Sequence, residues 1–513
     1  MFSKIVTAAL FGIDAYKVDV ETDVSARLPS FNVVGLPDNA VRESRERVTS
    51  AIKNAGFPFP QGKITINLAP ADIRKEGSAF DLPIALGLLR AIGILDGDYV
   101  DGFYIVGELG LDGSVAPIKG MLSISLLAKE EDADGLIVPM ENAREAAIAL
   151  GAPVYPVSSL TEAVEFLTGV RDIPPFKVSV RNIFSAGSAY SLDFSDVRGQ
   201  GHVKRALEVA AAGGHNILMI GPPGSGKTML ARRFPSILPP LTIDEAIETT
   251  KIHSVSGKLP VENALVSTRP FRAPHHTISD AGMVGGGAYP RPGEVSLAHN
   301  GVLFLDELTE FKKKVLEVLR QPLEDGHVTI GRAATTITFP ARFMLVGAMN
   351  PCPCGYFGDP YHHCTCSASQ IQNYVGRLSG PLLDRVDIHV EVPAVRYSEL
   401  SGPSTGERSN VIRERVTAAR RRQLDRFRNV PKVFCNAQMN SKITRALCKL
   451  DDPSKSLLKM AITKLGLSAR AYDRILKLSR TIADLENSDD IAQYHISEAI
   501  QYRSLDRKYW QGA

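Results

Sequence analysis

Short apolar runs alternate with amphipathic stretches along most of the chain, and the pattern changes twice. In residues 1–168 the runs Lys63–Asn67, Phe103–Val106 and Gly135–Val138 predict strands. Asn39–Ala55, Asp81–Ile94 and Ala143–Leu150 predict helices in the same segment. Residues 169–194, with Pro174-Pro175 and a Ser/Gly/Ala/Tyr stretch at 185–191, read as a linker. From 195 to 395, buried-type strands (Asn216–Ile220, Val302–Leu305, Phe343–Ala348) alternate with helices. That alternation predicts a parallel sheet covered on both faces. Residues 396–513 hold no convincing strand. There Arg470–Leu485 sets Tyr472, Ile475, Leu478 and Ile482 on one stripe, as in a helical bundle. The expected class is α/β: an α+β N-terminal domain, a parallel-sheet domain, and a C-terminal helical domain.

Composition narrows the function without naming it. With 513 residues, 44% apolar and 22% charged, the chain is globular and too long for one core. Disordered, collagen-like and coiled-coil classes are excluded. No apolar run is long enough for a transmembrane helix, and residues 1–17 lack the pattern of a signal peptide. A cytoplasmic protein is expected, its six cysteines reduced unless a metal takes them. The net charge of +3 is unevenly spread. Residues 396–513 carry 23 Lys+Arg against 13 Asp+Glu, and the rest of the chain 36 against 43. A basic third on an acidic body points to a polyanion such as nucleic acid, or to solvated helix faces.

Candidate chemistry begins after the strand Asn216–Ile220. It runs into Gly221, Pro222, Pro223, Gly224, Ser225, Gly226, Lys227 and Thr228, and a helix follows. Strand, GxxxxGK[ST] and helix make a phosphate-binding loop: glycines let backbone N–H groups close on phosphates, Lys227 reaches the β/γ-phosphates, and Thr228 offers Mg²⁺ a hydroxyl. The strand Gly301–Leu305 ends in Asp306, placed to hold the metal, and Glu307, placed to polarise water. The strand Phe343–Ala348 leads to Asn350, suited to positioning that water. Three strand ends in one βα succession point to hydrolysis of ATP with Mg²⁺.

These motifs resemble the magnesium-chelatase-like branch of the AAA+ ATPases. Asp196–Gln200 is similar to that family's adenine-side box, and Gly380–Arg385 to the segment carrying its arginine finger. The resemblance implies that Arg385 completes a neighbouring subunit's ATP site; the alternative is a surface arginine paired with Asp384 or Asp387. Leu467–Arg470 matches the family's second sensor, with Arg474 one turn on as the other choice.

Two inserts exceed a minimal nucleotide domain. Pro270–Thr277 contains His275-His276 and reads as a shaped loop rather than a metal site, since no third ligand sits at helical spacing. Gly326–Arg332 and Thr335–Phe339 read as a hairpin with Arg332 at its tip, able to touch a phosphate backbone or simply solvated. Cys352, Cys354, Cys364 and Cys366 fall within fifteen positions and fit a tetrahedral Zn²⁺ site; reduced thiols or reversible disulfides are the alternatives.

Residues 1–168 resemble the Lon-protease-like domain of the ComM/YifB family. Gly107-Glu108-Leu109 and Ser114–Ile118 carry that likeness, with Lys75–Ala79 where Lon has its nucleophile. The nucleophile position falls on Ala79 and the lysine position on Leu122, so protease chemistry is not expected. Ser78 with Lys119 is a minor, shifted alternative. The resemblance covers the whole chain: 1–168 Lon-like and inactive, 169–194 linker, 195–395 ATPase, 396–513 helical. It implies a homo-oligomeric, hexameric ring that hydrolyses ATP to act on single-stranded or branched DNA. Branch migration in homologous recombination and natural transformation is the implied role. The alternative is a chelatase-like ATPase remodelling a protein or metal-insertion complex.

Overall fold

A computed structural model describes residues 1–95, 98–180, 183–184, 190–259, 264–287, 289–332, 335–394, 406–431, 433–465 and 468–505. Part of the expected linker (181–182 and 185–189), the hairpin tip (333–334), the expected domain boundary at 395–396 and Leu467 of the sensor motif lie outside the described residues. The chain divides into two compact units, Met1–Gly187 with Ile243–Ser267, and Ser188–Thr242 with Thr268–Ala513.

The first unit is built on strands β1 (Phe2–Phe11), β2 (Asp14–Ser25), β3 (Ser30–Val34), β4 (Lys63–Ala69), β5 (Phe103–Ile105), β6 (Gly135–Pro139) and β7 (Val154–Val157). They form one mixed sheet in the order β3-β4-β2-β1-β5-β6-β7. β1 and β2 make an antiparallel hairpin, Phe2 opposite Asp23 and Phe11 opposite Asp14, turning at Gly12-Ile13. Successive side chains point to opposite faces of a strand, and here each face carries buried side chains. Ile5, Val18, Val20, Ile105 and Ile137 face the core containing helices Asn39–Asn54, Asp81–Ala91 and Leu160–Leu167. Ala8, Tyr104, Leu136 and Val138 face the helix Met121–Glu130. The helix expected over Ala143–Leu150 is α only to Ala146 and continues as a 3₁₀ turn through Ala149.

Two buried charges tie this unit together. Asp81 is fully buried at the start of its helix. Arg47 donates to both its oxygens, from Nε at 2.6 Å and Nη2 at 3.1 Å, and the Leu109 N–H donates as well. Glu145 accepts from the Leu122 N–H at 2.9 Å and from the Ser254 hydroxyl. Burial pushes the Glu145 carboxyl up from its ordinary range. Ser254 lies on the helix Ile243–Val255, and Lys251 of that helix pairs with Asp14. Residues 243–267 thus belong to the first unit although the sequence on both sides of them belongs to the second.

The second unit carries a five-stranded, all-parallel sheet. Its strands are β8 (Ile217–Ile220), β9 (Phe271–Arg272), β10 (Val302–Leu305), β13 (Met344–Met349) and β14 (Ile388–Glu391), after a hairpin of β11 (His327–Arg332) and β12 (Thr335–Pro340). The sheet order is β9-β10-β13-β8-β14. β8 and β10 are four-residue apolar runs, each paired in parallel with a strand on both sides, which suits central strands of a covered sheet. Helices Ser409–Arg426 and Ala469–Leu485 share one core with it, in which Val203, Leu207, Ile412, Val416, Ile475, Leu478 and Ile482 are buried.

Much of the C-terminal basic charge is engaged inside this unit. Arg415 pairs with Glu208 and Glu407, Arg426 with Asp484, and Arg420 donates to the Ala211 and Ala212 carbonyls. Part of the charge asymmetry in the sequence is therefore architectural.

Replacing Arg47 by alanine leaves Asp81 buried without its partner, so Arg47→Ala is expected to destabilise the N-terminal unit by about 3 kcal/mol. Removing Asp81 as well should recover part of that loss. Urea unfolding followed by circular dichroism on both single variants and the double variant checks the cycle; equal losses in Arg47→Ala and the double variant would contradict it.

Candidate active site

The parallel order sets three strand ends side by side. β13 separates β8 from β10, so the phosphate loop after Ile220, the Asp306-Glu307 pair after Leu305 and Asn350 after Met349 leave the same edge of the sheet. Loops at the carboxyl ends of such a sheet are where ligands bind. Gly221 is required at the loop's first step, because a Cβ there would lie 2.1 Å from the Val392 carbonyl oxygen. The helix Lys227–Arg233 then begins at the lysine, so its N-terminal N–H groups and Lys227 face the loop interior together.

Lys227, Thr228, Asp306 and Asn350 meet there. Lys227 Nζ donates to the Gly221 and Pro222 carbonyls at 2.7 and 2.9 Å and to Asn350 Oδ1 at 3.3 Å. Burial pushes the Lys227 ammonium down to about 8, and Asp306 works against that shift. The Thr228 hydroxyl donates to Asp306 Oδ2 at 2.6 Å. A hydroxyl and a carboxylate oxygen in contact are the hard donors a Mg²⁺ bridging to phosphates needs, and the residues present fit that ion. Glu307 stands beside them, largely exposed, with φ +49° and its N–H donating to Asp306 Oδ1 at 2.9 Å. A non-glycine residue held in the left-handed region is strained and marks functional sites more often than others.

One neighbour of Glu307 is not legible as such in the sequence. His276 Nδ1 lies 3.3 Å from Glu307 Oε2, with its ring against His275 (centroids 4.1 Å apart) and edge-on to Phe311. The loop reading of His275-His276 agrees with this geometry, but its contact with the acid could not be seen. It arises because β9 pairs with β10, Phe271 opposite Val302, and so sets the following loop beside the end of β10.

The two arginines expected to act at the site lie apart from this cluster. Arg385 is tied to Glu324 and the Pro381 carbonyl, rather than to Asp384 or Asp387. Arg470 pairs with Asp384 at 3.0 Å on the surface, whereas Arg474 is mostly buried against Asp387.

The four clustered cysteines do converge. Their sulfurs all lie within 4.8 Å of one another, and they form the one group of metal-ligating side chains found among the described residues. The Tyr356 N–H is the largest influence lowering the Cys354 thiol, to about 5, while burial pushes the Cys352 thiol up to about 12. Glu307, Asn350, Pro353, Gln370, Tyr374 and Arg377 line an adjoining cavity of about 460 Å³.

The chain is similar in sequence to known proteins. Residues 193–400 match the family described as magnesium chelatase, subunit ChlI; residues 20–142 match subunit ChlI of Mg-chelatase; and residues 406–503 match the ChlI C-terminal family. This defines a magnesium-chelatase-like AAA+ protein, a class that suggests an ATPase using ATP and Mg²⁺. The chain is 45% identical to Competence protein ComM of Haemophilus influenzae, over 98% of this chain and 97% of that one. It is 44% identical to the uncharacterized protein YifB of Escherichia coli over the same shares. It is also 26% identical to the magnesium-chelatase 38 kDa subunit of Rhodobacter capsulatus, over 59% of this chain and 84% of that one. The chain belongs to the ComM/YifB family of magnesium-chelatase-like AAA+ proteins.

Two outcomes follow from the geometry. The protonated Lys227 is the form that would hold a phosphate, and a bound phosphate would raise its pKa. Nucleotide binding therefore takes up a proton above pH 8, and affinity falls as pH rises, by up to about tenfold per unit. Titrating Mg²⁺-free fluorescent ADP between pH 7 and 9.5 checks this; a flat profile across pH 8 contradicts it. Loss of the imidazole beside Glu307 in His276→Ala should lower kcat for ATP about tenfold with ADP affinity kept, and His276→Asn should recover part of it. Steady-state kinetics on the two variants decide; equal rates for His276→Ala and the parent protein would remove His276 from the site.

Proposed function

We propose that the chain is a Mg²⁺-dependent ATPase that assembles into a ring, in keeping with its resemblance a hexamer, and moves on single-stranded or branched DNA. Branch migration during homologous recombination and natural transformation is the role we assign it, in the cytoplasm. The observation that carries the ATPase reading is the meeting of Lys227, Thr228, Asp306, Glu307 and Asn350 at one sheet edge. The DNA reading is supported by the full-length likeness to a protein named for competence. No helix among the described residues is long and apolar enough to cross a membrane.

The residues divide the work by position. Gly221, Pro222, Pro223, Gly224, Ser225 and Gly226 wrap the phosphates with backbone N–H groups, and Lys227 neutralises their oxygens. Thr228 and Asp306 hold Mg²⁺, which when bound offsets charge on the β- and γ-phosphates. Glu307 takes a proton from the attacking water while Asn350 orients it. Arg385 serves a neighbouring subunit's site, where a guanidinium stabilises charge in the transition state and makes hydrolysis depend on assembly. Arg470 is the γ-phosphate sensor, with Arg474 as the other candidate. Its larger exposure favours Arg470 for a role toward ligand. Cys352, Cys354, Cys364 and Cys366 hold Zn²⁺.

We read residues 1–168 as a Lon-like domain without protease chemistry, 195–395 as the ATPase and 396–513 as its helical lid. Ala79 and Leu122 stand at the family's dyad positions, and Ser78 donates its hydroxyl to Glu108 while Lys119 lies against Gly257, which lends the shifted pair no support. The likeness to a magnesium-chelatase subunit favours a second reading, a motor that remodels a protein or metal-insertion complex.

ATP hydrolysis with and without branched or single-stranded DNA separates the two, with Lys227→Ala as the blank. The DNA motor is expected to be stimulated several-fold by DNA, and the stimulation should weaken between about 50 and 200 mM salt as phosphate contacts are lost. Hydrolysis indifferent to every DNA structure would overturn it in favour of the remodelling motor.

A further inference from the structure

The cysteines sit within a stretch that little else holds. Residues 351–367 contain no helix and no strand, and an irregular segment of that length inside a compact unit needs another restraint. The sulfurs are 3.3 Å apart for Cys352–Cys354, 3.7 Å for Cys352–Cys364 and 3.6 Å for Cys354–Cys364. A tetrahedral Zn²⁺ with Zn–S bonds of about 2.3 Å holds its sulfurs about 3.8 Å apart, so the thiols stand close to the spacing the ion needs. Backbone groups already turn toward them. Phe357 N–H donates to Cys352 Sγ at 3.3 Å and Cys354 N–H to Cys366 Sγ at 3.4 Å, the outer-shell support that fixes a thiolate's direction.

Each end of this stretch enters the candidate active site. Asn350 is two residues before Cys352, and its Oδ1 accepts from Lys227. Ser367 directly follows Cys366 and caps the helix Ala368–Val375 in a reciprocal capping box with Gln370. That helix and its capping turn supply Gln370, Asn373 and Tyr374 to the cavity beside Glu307, and Pro353 supplies another part of its wall. In the middle, Gly355 (φ +87°) presses on the phosphate loop: a Cβ there would lie 2.6 Å from Pro223 Cδ. The cluster therefore touches the site at three points, through Asn350, Pro223 and the capped helix.

We propose that Zn²⁺ bound by Cys352, Cys354, Cys364 and Cys366 is the tie that positions Asn350 and the cavity wall beside Glu307, so that zinc governs the rate of hydrolysis. The inference rests on reading the cysteines as a zinc site and the strand ends as an ATPase. The thiolates act through Asn350 and touch no substrate, so they are positioning groups. Nucleotide affinity depends chiefly on Lys227 and the helix behind it, which belong to β8 and its own loop. Loss of zinc should therefore appear in kcat far more than in binding.

The test uses the full chain. Metal analysis of the purified protein is expected to find one zinc per chain. A zinc-selective chelator applied in excess Mg²⁺ should lower kcat at least about tenfold, leave the Kd for ADP within about threefold, and be reversed by added Zn²⁺. Cys366→Ser should behave as the chelated protein does. Gly355→Ala keeps all four thiols and tests the contact with Pro223 separately; it should retain zinc yet lose hydrolysis. Zinc present but removable without change in kcat would overturn the coupling and leave the zinc site standing. Protein that hydrolyses ATP yet contains no zinc would overturn the site and the coupling together. Zinc without any hydrolysis in the untreated protein would instead strike the ATPase reading.

Discussion

Thr228 and Asp306 touch across a strand that belongs to neither of them. β13 lies between β8 and β10, so the 2.6 Å contact between hydroxyl and carboxylate exists only if all three strands hold their register. A slip of one residue would move a strand end by about 3.3 Å and reverse its side chains. Nothing local to the loop could repair that. The register is held by the close fit of the side chains on both faces, where Leu218, Met219, Leu303, Phe304, Leu345 and Val346 are all buried. Packing thus fixes the spacing of charges that packing alone would exclude.

The same economy of position extends to the C-terminal helices. Asp387 and Asp484 are carboxylates withdrawn from solvent, and each is surrounded by partners from more than one element. His215, just before β8, and Arg474 of the helix Ala469–Leu485 converge on Asp387. Arg426 and Arg480 converge on Asp484, and Asn436 also donates to it at 2.8 Å. Buried pairs of this kind add little net stability but are costly to break. They therefore discriminate sharply between one seating of the helices on the sheet and any other. Arg470 and Arg474 stand one turn apart on a helix seated in this way.

How much of this could be read in advance depended on the range of the signal. The phosphate loop, Asp306-Glu307 and Asn350 were legible because each is a local strand-to-turn pattern. The four cysteines were legible as a group because they are close in sequence. The hairpin of β1 and β2 is not legible in the sequence, although Gly12 turns it, because Phe2–Phe11 lacks regular polar alternation: Thr7, Ala8 and Ala9 are buried in succession. The sequence places His276 in a loop and does not show it as a neighbour of Glu307, because strand order β9-β10 brings them together and sequence separation gives no hint of it. Residues 243–267 group with the N-terminal unit through Glu145 and Asp14, more than a hundred residues away. The charge excess of the C-terminal third suggested an external polyanion, and the pairings of Arg415, Arg420 and Arg426 show how much of such an excess a fold can use internally.

Donor chemistry is sorted along the edge of the sheet. After β8 and β10 the side chains offered are a hydroxyl and a carboxylate, hard oxygens that favour Mg²⁺ and bind softer ions less selectively. After β13 they are thiols, which favour zinc and have little affinity for Mg²⁺. Asn350 stands between the two sets as a neutral amide, a poor ligand for either ion but able to hydrogen-bond on both sides. A carboxylate at that position would join the oxygen set and draw the metal away from the phosphates, and a thiol would extend the sulfur set toward the nucleotide. An amide would keep two such ions apart, and its own position is tied to Lys227 through Oδ1 and to Cys352 through the chain.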